Sequence, residues 1–282
     1  MKHQKLLENK LKEKINNISS LAGGDINEVY KIETAKNSYV LKLNRENSFP
    51  EMFKKERKGL ISIVEANARS PKVIDCFNDS GFQFLILEFI KEENITNVFW
   101  VNFAKSLAKL HKKQNVFYGL EYDNYIGSLN QINTPKKTWE TFFIENRLEP
   151  FVKKSFDLKL LQHNHLNSFK NLYNSLSEIL PKENPSLVHG DLWSGNFICG
   201  KDQTPYFIDP AIYFGNREMD IAMTQLFSGF DNFYLNYYNE IYPLEKGWKE
   251  RINIHNLYPR LVHLILFGNS YLSGIENVLK KF

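Results

Sequence analysis

Through the first ninety residues the apolar positions mostly alternate with polar ones. Val29-Tyr30-Lys31-Ile32 and Tyr39-Val40-Leu41-Lys42-Leu43 predict two strands, and Pro71 to Phe77 and Phe82 to Ile90 predict two more around the turn Asn78-Asp79-Ser80-Gly81. Two stretches break the alternation. Leu6, Leu7, Leu11, Ile15 and Ile18 recur at three- and four-residue steps, which predicts an amphipathic helix over 6–18. Phe49-Pro50 to Ala66 predicts a second helix with proline near its start, its stripe formed by Met52, Glu56, Leu60 and Ile63. Beyond Glu93 the period turns helical. Val98 to Lys113, Thr138 to Ser155, Leu158 to Leu180 (ended by Pro181), a segment opening at Gly215-Asn216-Arg217-Glu218-Met219-Asp220, and an aromatic-rich tail from Phe233 to Leu279 all follow it. The expectation is an α+β, bilobal chain: a small antiparallel-sheet lobe with one key helix over 1–93, and a larger, mainly helical lobe over 94–282.

One stretch of the second lobe fits neither period. LVHGDLWSGNFICGKDQTPYFID, Leu187 to Asp209, carries His189-Gly190-Asp191, then Asn196, then Asp209 after the alternating Tyr206-Phe207-Ile208. Asp191 follows a short apolar run and a glycine, so it is expected at a strand exit, with Gly190 free to adopt a backbone that other residues resist. The spacing from Asn196 to Asp209 accommodates a β-hairpin between them. A carboxylate can take a hydrogen bond from an acceptor hydroxyl, while an amide oxygen and a second carboxylate suit Mg²⁺, which prefers a few hard oxygen ligands. Phosphoryl transfer asks for placement and charge neutralisation more than covalent chemistry, so this set points to a kinase using ATP and Mg²⁺. Isolated Asp and Asn residues usually serve turns and caps. The ordered trio, with a hairpin between its last two members, argues against that here.

Lys42 stands inside a strand among Val40, Leu41 and Leu43, so its ammonium must snorkel outward or meet a partner. Glu56 is a carboxylate on an otherwise apolar helix face, costly unless a cation reaches it. A strand lysine that holds phosphates and pairs with a helix glutamate completes the kinase pattern. Upstream, Gly23-Gly24 and Asn27 lie where backbone N–H groups can face phosphates, although a simple hairpin turn explains the glycine pair equally well.

These residues resemble a known family. His-Gly-Asp-x-x-x-x-Asn with Ile-Asp-Pro is similar to the aminoglycoside phosphotransferase and choline kinase side of the protein-kinase-like fold, with Gly190 where protein kinases have Arg and Pro210-Ala211 in place of Phe-Gly. HGDLWSGN, continued by IDPAIYFGNREMDIAM, resembles the fructosamine kinases (ketosamine-3-kinases) in particular. The resemblance implies transfer of the γ-phosphate to the 3-hydroxyl of a ketosamine (a fructosamine, ribulosamine or erythrulosamine, free or on a glycated lysine) in deglycation repair. It implies Asp191 as the catalytic residue, Asn196 and Asp209 as metal ligands, and the Glu88 carbonyl and Ile90 N–H as adenine contacts with Leu87 behind the ring. His189 and Trp193 would lie on the substrate side.

Trp193 has two readings: a flat wall with one N–H donor for a sugar face, or an indole packed in the core. Arg147, in TWETFFIENRLEP, either faces substrate or ties the lobe together. Asp123 to Ser128 resembles the family's N-x-x-G-S segment and is expected near the acceptor. Asp220, by the same resemblance, braces the catalytic loop, and His111 is expected to be a packed or capping histidine. Asp25 replaces the Cys or Ser frequent in the family's loop, which argues against a cysteine-linked dimer and for a monomer. Alternatives are an aminoglycoside- or choline-type phosphotransferase, and a pseudokinase that binds nucleotide without turnover.

Composition narrows the field further. The 282 residues are 43% hydrophobic and 24% charged, with 36 basic against 32 acidic residues for a net charge of +4. That small, scattered excess argues against nucleic acid. Cys76 and Cys199 are far apart and in no metal-ligand spacing, so they read as reduced thiols. The N-terminal MKHQKLLENKLKEKINN lacks an apolar signal-peptide centre and no apolar run reaches membrane-spanning length, so a cytoplasmic protein without membrane contact is expected.

Overall fold

The strands of the N-terminal part pair into one antiparallel sheet in a computed structural model that describes residues 3–21 and 26–282. Its elements are α1 (Gln4–Leu11), β1 (Ile15–Ser20), β2 (Glu28–Thr34), β3 (Ser38–Arg45), α2 (Met52–Glu65), β4 (Val73–Asp79) and β5 (Phe82–Glu88), with strand order β1-β2-β3-β5-β4. Because successive side chains of a strand point to opposite faces, β3 divides its residues between two cores. Tyr39, Leu41 and Leu43 pack with Leu7 of α1, and the alternate positions, with Leu85 and Leu87, meet Met52, Phe53 and Leu60 of α2. Lys42 belongs to the second set by parity, and this directs its side chain at α2.

The expected helix over 6–18 is two elements. Lys12 adopts a left-handed conformation (φ 56°) that ends α1, and Ile15 to Ser20 join the sheet as its edge strand against β2. Ile15 and Ile18 fit a helical stripe, but pairing with β2 satisfies their backbone groups, so tertiary context overrides the local period.

The remainder is mainly helical. In chain order it comprises α3 (Asn97–Lys112), a small hairpin of β6 (Asn124–Ile126) and β7 (Leu129–Gln131), then α4 (Trp139–Phe142), a π-helical turn (Phe143–Leu148) and α5 (Glu149–Asp157). Next come α6 (His163–Ile179), β8 (Ser186–Val188), β9 (Phe197–Gly200), β10 (Thr204–Phe207), β11 (Tyr213–Gly215), α7 (Glu218–Thr224), α8 (Phe233–Ile241), α9 (Trp248–His255), α10 (Leu257–Phe267) and α11 (Leu272–Leu279). The predicted 138–155 helix thus contains a π turn, and the 158–180 helix starts later, after Lys159 turns left-handed (φ 60°).

The expected hairpin between Asn196 and Asp209 is present as β9 and β10, and it is nested inside a second pair, β8 with β11. This nesting sets the site. Asp191 leaves the end of β8 and Asp209 leaves the end of β10, so both emerge at the same edge. Gly190, just before Asp191, is left-handed (φ 84°), and a Cβ there would lie 2.1 Å from the Ala211 carbonyl oxygen, which requires glycine.

Candidate active site

A cleft of about 530 Å³ runs between the sheet and the helical part, and its lining includes Asn27, Lys42, Glu56, Asp191, Trp193, Asn196 and Asp209. Seven residues singled out in the sequence therefore meet in one cavity. Lys42 Nζ donates to Glu56 Oε1 at 2.7 Å and also bonds Asp209 Oδ1. Burial alone would lower the Lys42 pKa, but the Asp209 and Glu56 carboxylates outweigh it and hold the group protonated. Burial likewise pushes the Glu56 carboxyl up against the opposing pull of Lys42. One ammonium thus serves two carboxylates.

Asn196 is oriented by its own loop. Its Nδ2 donates to the Asp191 carbonyl at 2.8 Å and to Asp191 Oδ2 at 3.0 Å, which leaves Oδ1 without a partner among the described residues. Burial pushes the Asp191 carboxyl up to about 7, opposed by the Asn196 hydrogen bond and reinforced by Asp209 and Asp220. Asp209 itself is left-handed (φ 51°), an uncommon conformation that aspartate tolerates better than most residues.

His189 is fully buried and turned away from the cleft. Its Nδ1 accepts from the Asp191 N–H at 3.3 Å and its Nε2 donates to the Ile208 carbonyl at 2.9 Å, so it stitches the two acidic segments together. The expectation of a substrate-side histidine is corrected: both ring nitrogens are used inside the loop. Trp193, by contrast, is 40% exposed and is not a core residue. Its indole lies on Gly195, where an added Cβ would meet the ring at 2.3 Å.

Asn27 Oδ1 accepts from Asn44 Nδ2 at 2.7 Å, and Asn44 is held in turn by Gln83. Gly23 and Gly24 lie outside the described residues. Leu87, Glu88 and Ile90 are not among the residues lining the cleft: Leu87 and Ile90 are buried, while Glu88 is exposed with its carboxylate accepting from the Lys72 N–H at 3.2 Å.

The Asp123–Ser128 segment reaches the cleft as expected, with Tyr125 in its lining, but two features escaped the sequence reading. Lys55, His263 and Phe267 also line the cleft, His263 and Phe267 coming from α10. Asn124, Gln131 and Tyr258 form a buried polar brace: Asn124 Nδ2 donates to the Ile212 carbonyl at 2.8 Å, Gln131 Nε2 to the Ala211 carbonyl at 3.0 Å, and Tyr258 OH to Gln131 Oε1 at 2.7 Å. Arg147 completes that brace. It is buried, donates to Asn133 Oδ1 at 2.7 Å and stacks 3.9 Å over the Tyr213 ring, so it ties the lobe together rather than facing substrate.

Among the described residues no three His, Cys, Asp or Glu side chains group to hold a metal, and no helix is long and apolar enough to cross a membrane. Mg²⁺ needs no such cage, because it takes one or two protein oxygens and completes its shell with phosphates and water. The free Asn196 Oδ1 and the Asp209 carboxylate fit that requirement.

An antiparallel sheet over a helical part, with a strand lysine paired to a helix glutamate and facing an Asp-Asn-Asp set, defines a protein-kinase-like fold. A thermostable mutant of an aminoglycoside phosphotransferase, solved in ternary complex with AMP-PNP and hygromycin B, shares this fold at TM-score 0.69 and 16% identity over 99% of this chain and 98% of that one. At closer range, a crystal structure assigned to a fructosamine-3-kinase of Thermobifida fusca superposes with TM-score 0.90 at 28% identity, covering 98% and 96% of the two chains. The chain belongs to the fructosamine kinase family, whose model matches residues 1–282. Its relatives include a protein named probable ketoamine kinase of Enterococcus faecium, 37% identical over 93% of this chain and 94% of that protein. Another is the chloroplastic protein-ribulosamine 3-kinase of Arabidopsis thaliana, 32% identical over 95% and 83%.

Proposed function

We propose that this protein is an ATP- and Mg²⁺-dependent ketosamine kinase, transferring the γ-phosphoryl group to the 3-hydroxyl of a fructosamine, ribulosamine or erythrulosamine, in deglycation repair. The observation that carries the reading is the meeting of Lys42 with Asp209 and Glu56 across the cleft from Asp191 and Asn196. Residues 1–93 hold the nucleotide, with Leu87, Glu88 and Ile90 at the adenine, and residues 94–282 hold the acceptor, in a cytoplasmic monomer.

Lys42, steadied by Glu56, contacts the α- and β-phosphates. Asn196 Oδ1 and Asp209 would hold Mg²⁺, which when bound neutralises developing charge on the phosphates. Lys42 then shares Asp209 with that cation. Asp191 accepts the acceptor hydroxyl's hydrogen bond and orients its oxygen for in-line attack. It takes the proton late, since bond formation to the incoming oxygen is little advanced in a loose transition state. Its raised pKa suits a carboxylate that must both hold and release a proton near neutrality, and the charge of a bound cation would draw it back down. Trp193 presents an apolar face to the sugar, as exposed aromatic rings do.

The acceptor end also disfavours the aminoglycoside reading. The only acidic residues lining the cleft among those described are Glu56, Asp191 and Asp209, all at the phosphate end, whereas the far end offers Trp193, Tyr125, His263 and Phe267. A polycation would find no carboxylate there to pair with. The test is an acceptor screen with ATP and Mg²⁺ using a synthetic fructosamine, a ribulosamine, kanamycin and choline. Turnover with the ketosamines alone is expected, and turnover only with kanamycin or choline would overturn the reading.

A further inference from the structure

Three amide side chains stand in a row across the sheet, on the face that carries Lys42. Asn44 follows Lys42 by two residues in β3, so the two share a face, and it lies opposite Gln83 of β5. Asn27, just before β2, meets Asn44 from the other side. Gln83 and Asn44 are 1% and 7% exposed, whereas Asn27 lines the cleft. Buried amides are costly unless they are bonded. Gln83 Oε1 has no partner among the described residues, a cost that an apolar side chain at 83 would avoid.

The row has a direction, and one backbone carbonyl sets it. Gln83 Nε2 lies 2.6 Å from the Phe49 carbonyl oxygen, in the segment leading to α2, and 2.7 Å from Asn44 Oδ1. A carbonyl can only accept, so the Gln83 amide must turn its NH2 toward residue 49. An amide NH2 can only donate, so Asn44 must answer with its oxygen. Its own NH2 is then directed at Asn27 Oδ1, 2.7 Å away, and at Met52 Sδ, 3.4 Å away. Asn27 thus accepts from the interior with its oxygen, and its Nδ2, without a partner among the described residues, is the end left for the cleft.

We propose that Gln83 and Asn44 are positioning residues for nucleotide binding: anchored at the Phe49 carbonyl, their amides hold Asn27 with its NH2 outward as a donor to phosphate oxygens. The proposal rests on the kinase reading, in which the cleft takes a triphosphate beside Lys42. Hydrogen bonds to an ionised group are the strong ones, and an amide turned the other way would set its oxygen against phosphate oxygens. The direction of one amide therefore decides between attraction and repulsion.

One substitution should reverse the row. Glutamate at 83 has at most one proton to give. Protonated, it gives that proton to the Phe49 carbonyl and must accept from Asn44; ionised, it accepts from Asn44 outright. Either way Asn44 flips, and Asn27 turns its oxygen to the cleft. Leucine at 83 only releases the row.

The test is calorimetric binding of AMP-PNP with Mg²⁺, and of adenosine, to wild type, Gln83→Glu, Gln83→Leu, Asn27→Ala and the Gln83→Glu/Asn27→Ala double variant. Gln83→Glu should weaken AMP-PNP binding about 10- to 100-fold, the scale of one lost hydrogen bond to a charged group, and Gln83→Leu should weaken it less. Adenosine, which has no phosphates, should bind all of them alike. Adding Gln83→Glu to Asn27→Ala should cost little more, because the group it misdirects is already gone. Wild-type AMP-PNP affinity in folded Gln83→Glu, an equal loss with adenosine, or the full further loss in the double variant would overturn the proposal. Should Gln83→Glu not fold, unchanged AMP-PNP affinity in Gln83→Leu would do the same. Wild-type protein that binds no AMP-PNP would remove the kinase reading and this proposal together, an outcome distinct from any variant result.

Discussion

Gly59 of α2 sits against Pro210, the residue that follows Asp209: a Cβ on Gly59 would lie 3.0 Å from Pro210 Cγ and 3.7 Å from Ile212 Cγ1. Gly59 is one helical turn beyond Glu56, so the closeness of α2 to the metal-side loop, and with it the reach of Glu56 to Lys42, depends on the absence of a side chain there. Helix glycine costs about 1 kcal/mol relative to alanine, which makes a packing reason the natural account.

Gly59→Val should force α2 outward. Overpacking of this kind costs about 1–3 kcal/mol, and the Lys42–Glu56 contact should lengthen with it. The expected outcome is a lower melting temperature and a several-fold rise in KM for ATP. Gly59→Ala, needing a shift of only a few tenths of an ångström, should show a smaller change in both.

Lys42→Met leaves Glu56 buried beside Asp209 without its cation. Removing one partner of a buried pair costs about 3–5 kcal/mol, part of which is recovered as the carboxyl takes up a proton. Turnover should vanish and chemical denaturation should show the destabilisation. Combining Lys42→Met with Glu56→Leu should restore stability without restoring turnover, which separates the structural from the catalytic share of the pair.

Trp193→Ala removes the proposed sugar wall and should raise KM for the acceptor about tenfold, the scale of one lost apolar face, with KM for ATP unchanged. Gly195→Ala is the more revealing change, because its methyl would overlap the Trp193 ring without touching the acceptor. It should raise the acceptor KM in the same direction. A Gly195→Ala enzyme with wild-type acceptor KM would show that the indole's position is immaterial.

His255 is buried against Trp139 and Phe143, and burial followed by the charge of Arg251 lowers its pKa to about 3. The folded state therefore resists a proton that the unfolded state accepts near 6.5. The stability this group permits is present above about pH 6.5 and is lost as pH falls toward 3, amounting to about 2 kcal/mol at pH 5. His255→Phe, which keeps the ring and removes the titration, should leave a shallower fall in melting temperature between pH 7 and pH 5 than the wild type shows.

Much of this was readable from residue order alone. The alternation in β2, β3 and β5, the helical stripe of α2 carrying Glu56, and the Asp191, Asn196 and Asp209 spacing each reflect a local rule: a period, a turn, a hairpin length. Parity within β3 even placed Lys42 on the α2 face. The reading failed where local rules gave two answers. Ile15 and Ile18 fit a helix stripe until β2 offered them backbone partners. His263 and Phe267 fit a core stripe on α10 until the cleft left them accessible.

By itself, then, the sequence determined the identity and order of the groups in the cleft and the class of chemistry they suit, because spacing along a chain is a local property. Only the tertiary structure decided which way each group faces. His189 turned inward because Ile208 and Asp191 take both its nitrogens, and Arg147 became a buried strut because Tyr213 and Asn133 receive it. Those outcomes depend on which partners the fold brings alongside each side chain, and no local pattern carries them.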